Sequence, residues 1–237
     1  MINDIKNSIL SDYKYRTELH AHTLPISRCS EFYAEELINI YSGLGVDTVV
    51  LTNHFTPVHI KENSRDQLVS EYIKAYRDLK KCAEERGMNA IFSMELRFTE
   101  NSNDYLIYGI TEEDVGEIYE YVDKGIEEFY KNFKRDDVLI IQAHPKRNNM
   151  TDIDISFIDG METFNMHPGH NSRIAITSAL ANKEGLLVTG GTDFHHPGHE
   201  GCCIMLTKTK QETPADIVKT IKSRDFALNI GGSIVLP

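Results

Sequence analysis

Two histidines separated by one residue are the first feature of this chain that could perform chemistry. His20 and His22 lie in residues 14–23, which predict the first strand. On a strand, side chains two residues apart point to the same face, so both rings can reach one ion from one side. Neutral imidazole is a common ligand of zinc and similar ions. Such a pair also occurs as two packed or solvated side chains, so a metal site needs further ligands.

Further residues with ligand chemistry end other predicted strands, each at or just past the end of a short apolar run. They are His54, Glu95, His144, Asp193 and His195. Asp193 and His195 repeat the same-face spacing of the first pair, and Glu95 offers two oxygens that could bridge two ions. In a barrel of parallel strands, active sites are built at the carboxyl ends of the strands. Seven potential ligands from five strands are therefore expected to converge on one mouth.

Short apolar strands alternate with amphipathic helices along the chain. After a polar lead-in at residues 1–13, strands are expected at 14–23, 46–51, 89–94, 105–110, 138–141, 160–164, 186–189, 204–207 and 226–230, helices at 32–44, 64–87, 111–133, 171–184 and from 213, and an exposed loop at 57–63. This alternation predicts βαβ units and a parallel sheet. We expect one domain over residues 1–237, an α/β fold with a distorted, TIM-like barrel of seven strands and a metal site at their C-terminal face. The glycine-rich phosphate loops of nucleotide folds are absent from the sequence.

Composition narrows the classes of function. No apolar run approaches the roughly 20 residues of a membrane helix, and the N-terminus lacks an apolar signal core, so we expect a soluble, cytoplasmic protein. The four cysteines suggest neither a disulfide framework nor a metal knuckle. A net charge of −11 disfavours long nucleic acid as a partner, because such binding neutralises phosphates with Lys and Arg. A small substrate and a short nucleic-acid end that is held locally both remain as alternatives.

The motifs around these ligands resemble, in order, those of the PHP (polymerase and histidinol phosphatase) superfamily. They are Glu18-Leu19-His20-Ala21-His22-Thr23, Thr52-Asn53-His54, Ser93-Met94-Glu95, Ala143-His144-Pro145 and Gly191-Thr192-Asp193-Phe194-His195. The resemblance spans residues 15–200, and the order of the motifs is more specific than any one of them. It implies a distorted seven-stranded α/β barrel, two or three divalent ions (zinc, manganese or iron) and hydrolysis of phosphoesters.

The same resemblance implies an assignment of ligands to ions. One ion would be held by His20, His22, Glu95 and Asp193, a second by Glu95 and His144, and a third by His54 and His195. Three departures from the family pattern favour two ions over three. Asn53 replaces an aspartate, the loop after the first pair offers Cys29 or Glu31 in place of a usual acidic or histidine ligand, and Asp104 stands near a missing histidine.

Several basic residues are candidates to clamp a phosphate, although each could equally be a solvated surface side chain. They are Arg28, Arg97, Lys146 and Arg147. His167 and His170 could add a ligand or a general acid. In the expected mechanism, ions held by His20, His22, Glu95, His144 and Asp193 lower the pKa of a shared water, and the hydroxide attacks phosphorus in line. His195 or His54 then either fixes another ion or protonates the leaving oxygen.

Two other functions fit part of the pattern. An amidohydrolase-type barrel also opens with His-x-His, but it would normally use a metal-bridging lysine where this chain has Glu95. A non-catalytic, metal-binding regulatory module would tolerate Asn53 and the missing third-site ligands. We expect a phosphoester hydrolase acting on a small phosphorylated molecule, with histidinol phosphate, nucleotide phosphates, a phosphotyrosyl group and an oligonucleotide end as the substrates that the resemblance suggests.

Overall fold

The computed structural model describes residues 2–237, with side chains from residue 4 onward, as a mixed α/β fold. The strands are β1 Tyr15–Ala21, β2 Thr48–Leu51, β3 His54–Phe55, β4 Asn89–Phe92, β5 Glu95–Arg97, β6 Asp104–Tyr108, β7 Leu139–Gln142, β8 Gly160–Asn165, β9 Leu187–Gly191, β10 Cys203–Thr207, β11 Ala227–Ile230 and β12 Ser233–Val235. The helices are α1 Ile2–Asp12, α2 Ala34–Gly43, α3 Pro57–Glu62, α4 Arg65–Glu85, α5 Val115–Tyr119, α6 Ile126–Phe133, α7 Ile174–Lys183 and α8 Pro214–Ser223, and 3-10 turns cover Glu112–Asp114 and Ile155–Phe157.

The strands form two six-stranded sheets, in the orders β12-β11-β10-β1-β2-β4 and β3-β5-β6-β7-β8-β9. The runs β1-β2-β4 and β7-β8-β9 are parallel, as the sequence predicts. Strand β6 is antiparallel to both of its neighbours, and β10 is antiparallel to β1. The six residues between β5 and β6 are too few for a crossover helix, so the chain turns back as a hairpin. The expectation of a wholly parallel sheet is therefore wrong.

The two sheets adjoin along two edges. The chain passes from β2 to β3 and from β4 to β5 across breaks of two residues. On the opposite side, Ala21 and Phe194 form one isolated bridge, in which the backbone N–H of Phe194 donates to the carbonyl of His20 at 3.1 Å. The α/β class is confirmed, but residues 2–237 show neither a closed barrel nor a count of seven strands.

Helix α4 packs against α2 and against β4, the strand that leads into Glu95. The buried stripe expected for α4 is present, and its Ser64 hydroxyl accepts from the N–H of Gln67 at 3.3 Å as an N-cap. Fully burying each large apolar side chain contributes about 1.5–3 kcal/mol. Tyr72, on the buried face of α4, donates its hydroxyl hydrogen to the carbonyl of Asn53 at 2.5 Å. The helix thereby fixes the backbone just before His54.

Two expectations about these segments are wrong. Residues 57–63 contain α3, which begins at Pro57 and is too short to show a helical repeat in the sequence. The helix expected at 111–133 is broken at Gly125, whose φ is +88° and whose missing Cβ leaves room for the carboxylate of Glu100. That carboxylate accepts from the N–H of Ile126 at 3.0 Å. The polar lead-in, for which no element was expected, contains helix α1 over Ile2–Asp12, and Met1 lies outside the described residues.

No helix within residues 2–237 combines the length and the apolar character that a membrane span requires.

Gly191 lets strand β9 approach β1 where the histidines begin. A Cβ at this position would lie 2.4 Å from the Cβ of His20 and 2.9 Å from Oε1 of Glu162. Gly191→Ala is therefore expected to lower the free energy of unfolding by about 1–3 kcal/mol, as overpacking does. Gly43→Ala is the control, since no atom of the described chain lies within 4 Å of its added Cβ. Urea unfolding of both variants measures the difference, and equal midpoints would contradict this account of Gly191.

Candidate metal centre

The seven residues expected as ligands all lie at one edge of the strands. His20 is in β1 and His22 follows it, while His54 comes three residues after β2 and Glu95 three residues after β4. His144 lies two residues past β7. Asp193 and His195 similarly follow β9. Because β1, β2 and β4 run parallel, as do β7 and β9, these positions meet at their carboxyl ends. The structure thus brings all seven together, although their role as ligands stays a prediction.

Four of these residues form a buried group. Nε2 of His20 lies 3.5 Å from Oε2 of Glu95 and 3.4 Å from Oδ1 of Asp193, and Nε2 of His22 lies 3.3 Å from each of the same oxygens. None of the four side chains is more than 1% exposed. Within the described chain, neither Nε2 atom nor Oε2 of Glu95 has a hydrogen-bond partner. A buried, unpaired polar atom costs about 1–3 kcal/mol. A shared cation satisfies all of them, so the residues fit a divalent metal ion.

The other ring nitrogens of His20 and His22 fix which atom faces the group. Nδ1 of His20 lies 2.7 Å from Oε1 of Glu162, which can only accept, so this Nδ1 carries hydrogen. Nδ1 of His22 lies 3.0 Å from Oγ of Ser27, whose own hydrogen goes to Oδ1 of Asn53 at 2.9 Å. Ser27 must therefore accept from His22. In the neutral rings, both Nε2 lone pairs are left to bind a metal ion.

Asn53, one of the three departures from the family pattern named above, links the loop after β1 to His54. Its Oδ1 accepts from the backbone N–H of Thr23 at 2.7 Å and from the Ser27 hydroxyl. Ser27 in turn accepts from the backbone N–H of His54 at 3.0 Å. Asn53 therefore supports both His22 and His54 through one serine.

Two buried glutamates that the sequence analysis missed hold the ligand strands in place. Oε1 of Glu18 accepts from the backbone N–H groups of His20 and Thr192, each at 3.0 Å. Oε2 of Glu162 accepts from the backbone N–H of His144 at 3.1 Å, while its Oε1 contacts His20. For Glu162 the available signal was its position as the one charged residue of β8, whereas Glu18 shares β1 with Arg16 and carries no such signal. Each glutamate joins two ligand-bearing segments that are distant in sequence.

His144 and Asp193 have left-handed backbone conformations, with φ of +30° and +54°. Such conformations cost about 1–3 kcal/mol each and persist where the surroundings impose them. Here the backbone N–H of His144 is bound by Glu162, and Oδ2 of Asp193 accepts from Nδ2 of Asn165 at 3.0 Å. Hydrogen bonds thus fix both strained residues in position among the potential ligands.

Three further groups surround the first and share residues with it. They are His22 with His54 and His195, Glu95 with Asp104 and His144, and His144 with His170 and Asp193. In the second of these, Nε2 of His144 lies 3.0 Å from Oε1 of Glu95 and 3.8 Å from Oδ2 of Asp104. Asp104 and His170, whose roles the sequence left open, therefore join the cluster. The groups allow more than one ion.

The electrostatics of the cluster favour a cation. Burial acts to raise the pKa of Glu95, but His54 and His20 outweigh it and hold the pKa well below its usual range. Burial likewise acts to lower the pKa of His54, but Glu95 raises it to about 10. The carboxylates are thus ionised and draw positive charge to themselves, and a divalent ion would take the place of the protons on the imidazoles.

The cluster opens into a cavity of about 290 Å³. It is lined by Cys29, His54, Arg97, His144, Arg147, His167, His170, Asp193, His195 and His196. Of the four expected phosphate clamps, Arg97 and Arg147 lie at this cavity. Arg28 instead pairs with Glu62 at 2.6 Å on the surface, and Lys146 pairs with Asp152. Glu31 pairs with His196 at 3.1 Å and lies outside the cluster.

Known proteins resemble this chain in fold and not in sequence. No family model matches the chain, and no curated protein matches its sequence. Among solved structures, the chain is similar to a two-domain protein of Bacteroides vulgatus containing a predicted PHP-like metal-dependent phosphoesterase. The TM-score is 0.61 at 13% identity, with 91% of this chain and 64% of the other covered. This chain has the fold of the PHP-like phosphoesterases.

Two other solved structures are also similar to this chain in fold. One is a Bifidobacterium adolescentis protein assigned by inference as a metal-dependent phosphoesterase, with a TM-score of 0.50, 15% identity, and 78% of this chain and 89% of the other covered. The second is an amidohydrolase of Chromobacterium violaceum with bound sulfate and no metal, with a TM-score of 0.55, 14% identity, and 93% and 98% covered. At these identities the comparisons support the fold, and the chemistry must be argued from the site.

Glu162 orients His20 without belonging to any of the four groups, so its effect on metal binding can be tested. Glu162→Gln keeps the shape but removes the charge that holds the hydrogen on Nδ1 of His20. Losing such an outer partner lowers metal affinity by about 10–100-fold. Competition with a chromophoric chelator measures the affinity for zinc, and Glu113→Gln, at an exposed carboxylate, is the control. Equal affinities of wild type and Glu162→Gln would contradict the role given to Glu162.

Proposed function

We propose that the protein is a metal-dependent phosphoester hydrolase acting on a small phosphorylated molecule. One observation carries the proposal: the metal-binding cluster and two guanidinium groups, those of Arg97 and Arg147, face one cavity of about 290 Å³. Hydrolysis at phosphorus requires that the charge on the phosphoryl oxygens be neutralised from several sides. The cavity size and the net charge of −11 support a small substrate over long nucleic acid.

The first ion would be held by His20, His22, Glu95 and Asp193, a second by Glu95 and His144, and a third by His54 and His195. We propose two or three ions of zinc, manganese or iron. When bound, such ions polarise phosphoryl oxygens and activate water at neutral pH. The remaining tasks, which are to bind, orient and exchange protons, belong to the side chains around them.

Arg97 and Arg147 are oriented by the buried carboxylate of Asp104. Nε and Nη2 of Arg97 each lie 2.7 Å from an oxygen of Asp104, and Nη2 of Arg147 lies 3.3 Å from Oδ2. Nη1 of Arg97 takes no part in this pair and remains for a substrate. A guanidinium group matches the geometry of phosphate and is always charged. Asp104 therefore holds two phosphate-binding groups at one wall of the cavity.

His195 is placed to exchange a proton with a leaving oxygen. Its Nδ1 lies 2.9 Å from the carbonyl oxygen of Asp193, which can only accept, so the hydrogen of the neutral ring is on Nδ1. Nε2 is then left either to bind an ion or to exchange a proton. His54 lines the same cavity and is the alternative for this step.

An amidohydrolase is the second candidate, since the Chromobacterium violaceum protein of similar fold is described as one. That structure contains sulfate, which is a tetrahedral anion like phosphate. Two features of this chain favour phosphoester chemistry: a glutamate, Glu95, where a bridging lysine would be expected, and the arginine pair at the cavity wall.

Hydrolysis of an aryl phosphate, with and without chelator, tests the proposal directly. We expect turnover that chelator abolishes, that manganese, zinc or iron restores, and that exceeds turnover of lactones and cyclic amides. Glu95→Gln should reduce turnover by more than the roughly 10–100-fold expected when a residue that only supports a ligand is replaced. Circular dichroism should show that this variant still folds. Preferred turnover of cyclic amides would establish the amidohydrolase instead, and metal binding without any turnover would favour a regulatory module.

The neighbours Lys146 and Arg147 form a matched pair for the phosphate clamp. Arg147 faces the cavity, whereas Lys146 pairs with Asp152 outside it. Arg147→Gln is expected to reduce kcat/KM for the phosphoester by about 10–100-fold, because a hydrogen bond from a charged group contributes about 1.5–3 kcal/mol. Lys146→Gln should leave kcat/KM unchanged. Steady-state kinetics measures both, and an equal effect of the two substitutions would remove Arg147 from the clamp.

A further inference from the structure

The second ion has two alternative sets of ligands in this structure, and they share His144. One set adds Glu95 and Asp104, and the other adds His170 and Asp193. The first resembles the family pattern with an aspartate in place of the missing histidine. The second uses a residue from the loop after β8, which the family motifs in this chain do not include. The contacts of Asp104 and His170 distinguish the two.

Asp104 is already neutralised by arginine. Both of its oxygens accept from Arg97 at 2.7 Å, and Oδ2 also accepts from Arg147 at 3.3 Å. The carboxylate is only 1% exposed, so these are buried, charge-assisted hydrogen bonds. To bind an ion, Asp104 would have to share its charge with two guanidinium groups or give up part of a bidentate pair. It is therefore a weak ligand in this chain.

Unlike Asp104, His170 has a potential ligand atom that no described residue satisfies with a hydrogen bond. Its Nδ1 lies 3.0 Å from Oδ2 of Asp193. Despite this distance, that nitrogen is buried and has no hydrogen-bond partner among residues 4–237. The nitrogen and the oxygen are thus close without pointing at each other. The Nε2 atoms of His20 and His22 have the same relation to Glu95 and Asp193, where it indicates a shared cation.

The loop that carries His170 is fixed to the same carboxylate by hydrogen bonds that involve no ion. Pro168 and Gly169 form a turn in which the N–H of His170 donates to the carbonyl of His167 at 2.9 Å. The N–H of His167 donates to Oδ1 of Asn165 at 3.2 Å, and Nδ2 of Asn165 donates to Oδ2 of Asp193 at 3.0 Å. His170 and Asp193 are therefore held in register by Asn165.

We propose that His170 is a metal ligand, and that Nδ1 of His170, Nε2 of His144 and Oδ2 of Asp193 hold the second ion. This inference rests on the metal-dependent function proposed above, and at the second ion it puts His170 and Asp193 in place of Glu95. A consequence concerns Arg147, whose Nη1 lies 3.2 Å from Nε2 of His170. A ring bound through Nδ1 carries its hydrogen on Nε2, which cannot accept from Arg147. Binding of the second ion therefore releases Arg147 toward Asp104 and the cavity.

Titration of the protein with Mn²⁺, with free Mn²⁺ measured by electron paramagnetic resonance, tests the ligand without using activity. We expect at least two ions per wild-type chain. His170→Ala should lose one ion or bind it at least about tenfold more weakly, with the tightest ion unchanged. His196→Ala is the matched control, because His196 lines the same cavity but pairs with Glu31 and belongs to none of the four groups. It should bind Mn²⁺ as the wild type does.

Asp104→Asn separates the two ligand sets. We expect this variant to retain the second ion, since Asp104 is neutralised by arginine. Loss of the second ion in Asp104→Asn but not in His170→Ala would overturn the proposal, as would a wild type that binds one ion only. Should His170→Ala fail to fold by circular dichroism, His170→Asn keeps a polar atom at the position of Nδ1 and should show the same weakening.

Turnover of the aryl phosphate in the same samples keeps the two proposals apart. Turnover by the wild type together with unchanged Mn²⁺ binding in His170→Ala would exclude His170 as a ligand and leave the phosphoesterase intact. Loss of one ion in His170→Ala, with no turnover by a metal-loaded wild type, would establish the ligand and exclude the proposed reaction.

Discussion

The burial of two carboxylates, Glu95 and Asp193, among imidazoles is the constraint on which the rest of the structure depends. An ionised carboxylate taken out of water is strongly destabilising unless opposite charge and hydrogen bonds surround it. Both are 1% exposed or less, and both face the unpaired nitrogens of His20 and His22. The strand ends, the outer glutamates and the strained backbone serve to bring these imidazoles to the carboxylates. Any ion that binds the folded state and not the unfolded chain stabilises the fold by mass action.

A second set of buried carboxylates surrounds the cluster and forms hydrogen bonds that hold the ligand-bearing segments in place. Glu18 joins β1 to the segment after β9, and Glu162 joins β1 to the segment after β7. Each takes the place of direct strand pairing where the sheets do not pair, so the cluster does not depend on a continuous ladder. Asp104 has a related role toward the two arginines. The protein thus uses buried acids both to attract ions and to orient the residues that assist them.

The sequence predicted much of the site, because strand ends can be located from apolar runs and parallel strands bring their ends together. His20, His54, Glu95, His144 and Asp193 were placed on this basis, and they do converge. Glu162 and His170 could not be placed in this way. The role of Glu162 appears only when β8 lies beside β9 and β1, and that of His170 depends on a turn anchored by Asn165. The prediction of one continuous helix at 111–133 was wrong for a similar reason, because the break at Gly125 depends on Glu100, which lies in another segment.

The left-handed backbone at His144 and Asp193 limits how this site can change during evolution. Among residues other than glycine, Asn, Asp and His are several-fold enriched in that conformation. Two of these three are also good metal ligands, so His144 and Asp193 suit this backbone conformation and a metal site together. Cysteine and glutamate can bind metals but lack that tolerance. His54 and Glu95 lie in ordinary strands, where exchange among ligand types meets no such barrier. Divergence in metal preference is therefore expected to occur at the strand ligands first, with His144 and Asp193 the last to vary.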